Sequence, residues 1–331
     1  MLRASWNLVR EVASRNRPSR KPQFWENVGL ATRRRFEFEI GRRLSAGWLD
    51  APRVVDLSSI GFPDDQPSLR IEVTTREMIN RAIFLYGTFE ISETRLVQAY
   101  LRPGMTFLDV GAHIGYYTLI GARLVGDSGR VHSFEPGAAT RAHLEANVAR
   151  NGFGNVEIHA QALAEQTGQV GFYPSTLASN QGISSIIPSP SGNGRAAPVT
   201  VASLSLDDFA ASLGGRRVDF LKMDIEGAEL QVIRGGQRLL GGAEAPPMIF
   251  EAHELAPVAD ALRALGYRIR QLHYTLENGL ELPDADAHIE SLFAAYEAPN
   301  YFAAKDEATF DQVLRRANGG RPRLLRLLGR L

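Results

Sequence analysis

From residue 105 to residue 253 the chain alternates short apolar runs with stretches of helical spacing, and this rhythm restricts the fold more than any other feature. MTFLDV (105–110) is an apolar run bounded by Pro103-Gly104 and Gly111, the pattern of a strand buried on both faces of a sheet. YYTLIGARLV (116–125) then places its apolar residues at helical spacing and stops at Gly126. RVHSFE (130–135) predicts a second strand, ATRAHLEANVARNG (139–152) a helix ending on Asn-Gly, and NVEIHAQAL (155–163) a third strand. VDFLKMD (218–224) and PMIFEAH (247–253) predict two more strands, with a helix across 227–240 between them. Repeated units of this length build a parallel, doubly wound α/β sheet, whose ligands sit at the carboxyl ends of its strands.

Outside this region the rhythm fails. The first 80 residues form no such series and predict a helical or mixed extension with a strand or two. Residues 81–275 are the expected core, and 276–331 are expected to complete the sheet and end in a basic tail. Within the core, PSTLASNQGISSIIPSPSGNGRAAP (174–198) is dense in Pro, Gly, Ser and Asn. A loop this long inside a compact domain is a candidate lid over a binding site.

Composition removes several classes of chemistry. The 331 residues include no cysteine, so disulfides, thiolate metal sites and cysteine nucleophiles are excluded. No apolar run reaches the roughly 18 residues of a membrane span, and the first residues lack the apolar core of a secretory signal, so the cytoplasm is the expected compartment. The 37 basic and 37 acidic residues balance, but residues 1–50 hold 11 basic against 5 acidic and residues 311–331 hold 6 against 1. The body is therefore acidic, which argues against a nucleic-acid groove. The basic ends suit peripheral contact with a membrane or an anionic partner, or a last helix packed on the domain. A homodimer is compatible with the chain.

The chemistry gathers at the strand ends. The turn Asp109-Val110-Gly111-Ala112-His113-Ile114-Gly115 leads straight into a helix, whose unpaired N–H groups and dipole receive a ligand. A dinucleotide turn would have glycine where His113 stands. Asp109 would repel a pyrophosphate but suits an ammonium, such as that of the amino acid part of S-adenosylmethionine. Glu135, before Pro136 at the second strand end, can accept hydrogen bonds from both hydroxyls of a ribose. In FLKMDIEGAE (220–229), Lys222 is one of three lysines beside 34 arginines, and lies inside an apolar strand. That choice points to a need for a compact ammonium. Asp224, Glu226 and Glu229 follow, where helix-start acids would also be favoured by the dipole. Glu251-Ala252-His253-Glu254 closes the next strand.

DVGAHIGYYTL, VHSFEPGAATRAHLEANVARNG, the GISSI of the loop, VASLSLDDF, LKMDIEGAELQVIRGG and PMIFEAHE stand in an order and spacing that resembles the FkbM-family methyltransferases, over about 170 residues from YGTFE (86–90) to His253. The resemblance implies a class I, Rossmann-like fold with a mostly parallel seven-stranded sheet and helices on both faces. It also implies S-adenosylmethionine as cofactor and O-methylation of a small-molecule hydroxyl on a sugar or natural product. On it, the cofactor residues are Glu90, Asp109, Gly111, His113, Gly115, Glu135, Pro136, Gln161, Ala162 and Asp224. By their place at the strand ends, Lys222, Asp224 and His253 are the candidates for catalysis, and Glu226, Glu251 and Ser184 are expected to face the substrate. The family usually has Asn at the position of His113. Asp224, Glu226 and Glu251 could converge on Mg²⁺, but their spacing does not require it and no metal is expected. The alternatives are a nicotinamide-dependent oxidoreductase, disfavoured by the missing glycine, and a non-catalytic cofactor-binding scaffold.

Overall fold

The computed structural model describes residues 50–62, 68–188, 194–275, 278–287 and 299–319. Both basic ends, 1–49 and 320–331, lie outside it, and with them most of the segments expected to meet a membrane or partner. In chain order the elements are β1 (Pro52–Asp56), β2 (Arg70–Thr74), α1 (Met78–Tyr86), α2 (Ile91–Tyr100), β3 (Thr106–Val110), α3 (Tyr116–Val125), β4 (Arg130–Phe134), α4 (Ala138–Asn151), β5 (Val156–His159), β6 (Ala162–Ala164), β7 (Gly168–Phe172), β8 (Val199–Ser205), α5 (Leu206–Ser212), β9 (Phe220–Met223), α6 (Glu229–Arg234), α7 (Gln237–Gly241), β10 (Met248–Glu251), α8 (Leu255–Ala264), β11 (Arg268–Gln271), β12 (His273–Thr275), β13 (Gly279–Glu281), β14 (Asn300–Ala304) and α9 (Glu307–Gly319).

Seven strands form the central sheet in the order β11-β14-β10-β9-β3-β4-β5. β14 runs antiparallel to both neighbours, and the pairs from β10 to β5 are parallel. The fold is thus the mostly parallel, doubly wound α/β sheet that the alternation predicts, with the seven strands that the family resemblance implies. β3, β9 and β10 are its centre, and their continuous apolar runs are buried on both faces, including Phe107, Leu108, Phe220, Leu221, Ile249 and Phe250. The chain reverses its strand order between β3 and β9, which opens the crevice where ligands of such sheets bind.

Two expectations are corrected. The run 155–163 is not one strand. β5 joins the central sheet, the chain breaks at Ala160-Gln161, and β6 pairs with β8 in a separate three-stranded sheet, β6-β8-β7. The helix across 227–240 is two short helices. Gly235 approaches the Ala164 carbonyl and Gly236 approaches Leu206 too closely for any side chain, so the chain turns there.

The β1-β2 hairpin of the N-terminal segment shares the main core: Leu57, Leu69, Ile71 and Val73 pack in one cluster with Phe107 and Leu119. It is fixed to α4 by Asn147, which accepts the Glu72 N–H at 2.7 Å, and by Arg150, which donates to the Glu72 carboxylate at 2.6 Å. Among the described residues no helix is long and apolar enough to cross a membrane.

Candidate active site

A cleft of about 740 Å³, including space open to solvent, lies at the carboxyl ends of β3, β4 and β9. The turn after β3 forms one wall with Val110, Gly111 and His113. Glu135, Pro136 and Thr140 form the base, and Asp224, Ile225, Glu226 and Ala228 the opposite wall. Phe134, Ala162, Leu163, Phe172 and Ile186 supply apolar surface suited to a flat base.

Gly111 has φ +82°, and a Cβ there would overlap the Asp224 carbonyl oxygen. The turn can therefore pass the β9 end only with glycine. His113 has φ +50°. Asn and His are among the residues that tolerate the left-handed region, which accounts for imidazole where the family has Asn. Burial lowers His113 to about 4, so it is neutral. Gly115 does not line the cleft; it caps α3 against Leu144.

Glu135 is buried, and its two carboxylate oxygens accept N–H bonds from His113 at 3.0 Å and Gly137 at 2.8 Å. Burial nevertheless raises it to about 7. Each oxygen keeps a lone pair for a ligand hydroxyl.

Asp109 does not line the cleft. It is 1% exposed, opposite Lys222 in the β3-β9 register, and accepts from the Thr118 hydroxyl at 2.6 Å. Its Oδ1 is buried without a hydrogen-bond partner. Burial raises its pKa, with Lys222 opposing.

Lys222 is the hub. Its Nζ donates to Asp224 Oδ2 at 3.0 Å and lies 4.5 Å from the centre of the Tyr117 ring. Burial opposes its charge, but Asp224, Glu90 and Asp109 more than offset that, and its pKa is raised. Glu90, at φ +43° before α2, accepts from the Tyr117 hydroxyl at 2.9 Å. Burial, then Glu93, holds Glu90 well above the usual carboxylate range. Burial likewise pushes Asp224 up, yet Lys222 wins and leaves it lowered. Glu251 shares a hydrogen bond with Asp224 and is pushed up to about 11 by burial and that neighbouring charge. The trio is thus an ammonium, a carboxylate and a carboxylic acid.

Glu226, at φ +55°, lines the cleft and stands 3.6 Å from His253 Nε2. That carboxylate raises His253, whose side chain is 59% exposed. Glu229 accepts the Ile225 N–H at 3.2 Å and braces the turn, the helix-start role its position suggested. One oxygen each of Asp224, Glu226 and Glu251 lies within 4.8 Å of the others.

The 174–188 segment roofs the cleft through Gln181, Gly182, Ser184, Ser185 and Ile186, joined by Ile79 of α1. Ser185 donates to the Ile225 carbonyl at 2.9 Å, and Arg195 donates to the carbonyls of Ile183 and Ile187, clasping the segment. Gln161 falls in the break next to Ala162, and its side chain is not among the cleft walls. Tyr117, Phe134, Phe172 and Ser185 were not singled out from the sequence; each reads there as an ordinary core or loop residue.

The family model for the methyltransferase FkbM domain matches residues 109–269, which span β3 to β11 and every strand end just described. This segment is an FkbM methyltransferase domain. Methyltransferase 1 of Beauveria bassiana strain ARSEF 2860 is 28% identical over 184 residues, 51% of this chain and 69% of that protein. The crystal structure of methyltransferase FkbM from Methylobacillus flagellatus KT aligns with a TM-score of 0.40 at 16% identity, over 80% of this chain and 57% of that one. The present chain therefore spans little more than half of that structure. A SAM-dependent O-methyltransferase from Thermotoga maritima aligns at 0.39 and 14% identity, over 78% of this chain and 93% of that one. The cofactor of the FkbM methyltransferase fold is S-adenosylmethionine. The residues present fit it: a glycine passage, a ribose-type carboxylate and apolar walls for a base.

Proposed function

We propose that this FkbM domain transfers the methyl group of S-adenosylmethionine to a hydroxyl oxygen of a small sugar or natural-product acceptor, with the cytoplasm as the expected compartment. The observation that carries the reading is Glu226, which lines the cleft with Glu135 and holds His253 Nε2 at 3.6 Å behind it. When bound, the cofactor supplies an electrophilic methyl carbon. The residues must then hold the ribose, place the acceptor oxygen in line, exclude water and take one proton.

Glu135 holds the ribose hydroxyls, Gly111 and His113 shape the turn beneath it, and Pro136, Ala162 and their apolar neighbours take the base. Asp109, buried under the turn, faces Lys222 and accepts from Thr118, and Glu90 closes that end through Tyr117. Ser184, Glu226 and Glu251 meet the acceptor. An aliphatic hydroxyl is a weak nucleophile, and a base raised toward neutrality by its partner suits its proton. His253 has that character, because Glu226 stabilises the imidazolium that forms. Lys222 and Asp224 stay charged throughout and keep the local field fixed.

The test is calorimetric titration with S-adenosylhomocysteine, alongside NAD and the Glu135→Ala variant, followed by transfer of labelled methyl to a panel of sugar and polyol acceptors. Micromolar binding lost in Glu135→Ala, with label on oxygen, is the expected result. A preference for NAD, or label appearing on nitrogen, overturns the reading.

A further inference from the structure

On the other side of Phe134 from the cleft, two histidines and a glutamate face one another on adjacent strands. His132 of β4 is paired in register with Glu157 of β5, and His159 lies two residues beyond it on the same strand. His132 Nδ1 stands 3.2 Å from His159 Nε2. The two Glu157 oxygens straddle the pair, Oε2 at 3.5 Å from His132 Nδ1 and Oε1 at 3.8 Å from His159 Nε2. The imidazoles are walled by aromatic rings: Phe134 stacks on His159 at 4.5 Å, and Phe209 meets His132 edge-on at 5.1 Å. Glu157 is 64% exposed, so the group is open to solvent on the carboxylate side.

One proton between the imidazoles accounts for the 3.2 Å contact, but leaves the carboxylate aimed at both rings without a second bond. A single cation satisfies all three. Zinc–ligand bonds of about 2.0–2.2 Å in a tetrahedron place donor atoms roughly 3.3–3.6 Å apart; the His132–His159 and His132–Glu157 distances lie close to that edge, and one donor atom of each residue lies within 4.8 Å of the others. The geometry points to a surface-accessible site for a borderline divalent cation of the zinc type, held by His132, His159 and Glu157 with solvent as the remaining ligand. Two imidazoles and one carboxylate favour such a cation over Mg²⁺ or Ca²⁺, which take oxygen ligands. His132 Nε2 has no hydrogen-bond partner, and Arg130 and Arg216 add positive charge nearby. Missing that outer bond weakens a metal histidine by about 10–100-fold, so binding in the micromolar range is expected.

The site is separate from the Asp224, Glu226 and Glu251 group of the cleft, and the experiment distinguishes them. Untagged protein is titrated with Zn²⁺ alone by calorimetry, and with Co²⁺ while recording the visible absorption of a tetrahedral cobalt centre. One ion per chain is expected, with affinity falling about tenfold or more in Glu157→Gln, lost in His159→Phe, and unchanged in Glu226→Gln. Phe keeps the stack on Phe134, and Glu157 is a surface side chain, so both variants are expected to fold. Binding that survives Glu157→Gln and disappears in Glu226→Gln, or no binding to about 1 mM, overturns the proposal.

Discussion

The Lys222 ammonium stands 3.0 Å from the Asp224 carboxylate at the end of a side chain that is only 3% exposed. It is the cation on which the acids around it depend, and its Nζ also lies 4.5 Å from the centre of the Tyr117 ring, a compact ammonium where arginine would bring a wider fork. Removing it strands a charge. Lys222→Met is expected to cost about 3 kcal/mol, the low end for breaking a buried pair, because Asp224 keeps contact with the cleft. Lys222→Arg is expected to be no rescue. Urea unfolding of the two variants checks this, and an unchanged midpoint for Lys222→Met would mean the pair is structurally idle.

Glu135 gives a pH dependence of known sign. Its folded pKa of about 7 lies above the ordinary value of a glutamate, so protonation favours the folded state. That stability is fully present below about 4.5 and is lost as pH rises toward 7. The ribose needs the ionised form, so affinity moves the opposite way. S-adenosylhomocysteine binding is expected to weaken about tenfold from about pH 8 to about pH 6, since each pH unit below the pKa removes most of the ionised carboxylate. Glu135→Gln should bind weakly and flatly across that range. Calorimetry over the pH series decides it, and a flat wild-type curve would remove Glu135 from the ribose.

Gly111 and Gly227 separate crowding from backbone strain. Both have positive φ, +82° and +98°, but a Cβ at Gly111 overlaps the Asp224 carbonyl while one at Gly227 meets nothing within 4 Å. Gly227→Ala should cost about 1–2 kcal/mol, the left-handed penalty alone. Gly111→Ala adds overpacking and should cost about 2–5 kcal/mol, with loss of cofactor binding. Thermal melts of the pair check the difference, and equal losses would show that the close approach to β9 is not a constraint.

The central strands were legible because each is buried on both faces and reads as an unbroken apolar run; β3, β4, β9 and β10 fall within two residues of their expected bounds. The break at Ala160-Gln161 was not, since VEIH and ALA are both strand-like and nothing local shows that they join different sheets. The acids at the strand ends could be found by position. The electrostatics could not: that Glu251 carries a proton while Asp224 does not depends on Lys222 reaching across from the same strand. Tyr117 looks like any helix core residue, and its contacts with Glu90 and Lys222 arise from packing between elements distant in sequence.

The base assignment rests on His253 and Glu226, and the pH profile tests it directly. The Glu226 carboxylate, 3.6 Å from Nε2, raises His253 above the ordinary imidazole value. Because the imidazole is more than half exposed, the pair adds little stability, and that little is present below the unfolded pKa and lost as pH rises through the raised one. In catalysis the neutral imidazole takes the proton, so kcat/KM should fall on the acid side with the pKa of His253. Glu226→Gln removes the stabilising charge and should move that limb to lower pH while lowering the plateau. His253→Ala should abolish the limb and reduce kcat by about 10²–10⁴-fold. A limb that stays in place in Glu226→Gln would detach His253 from the proton transfer and hand the role to another group at the rim.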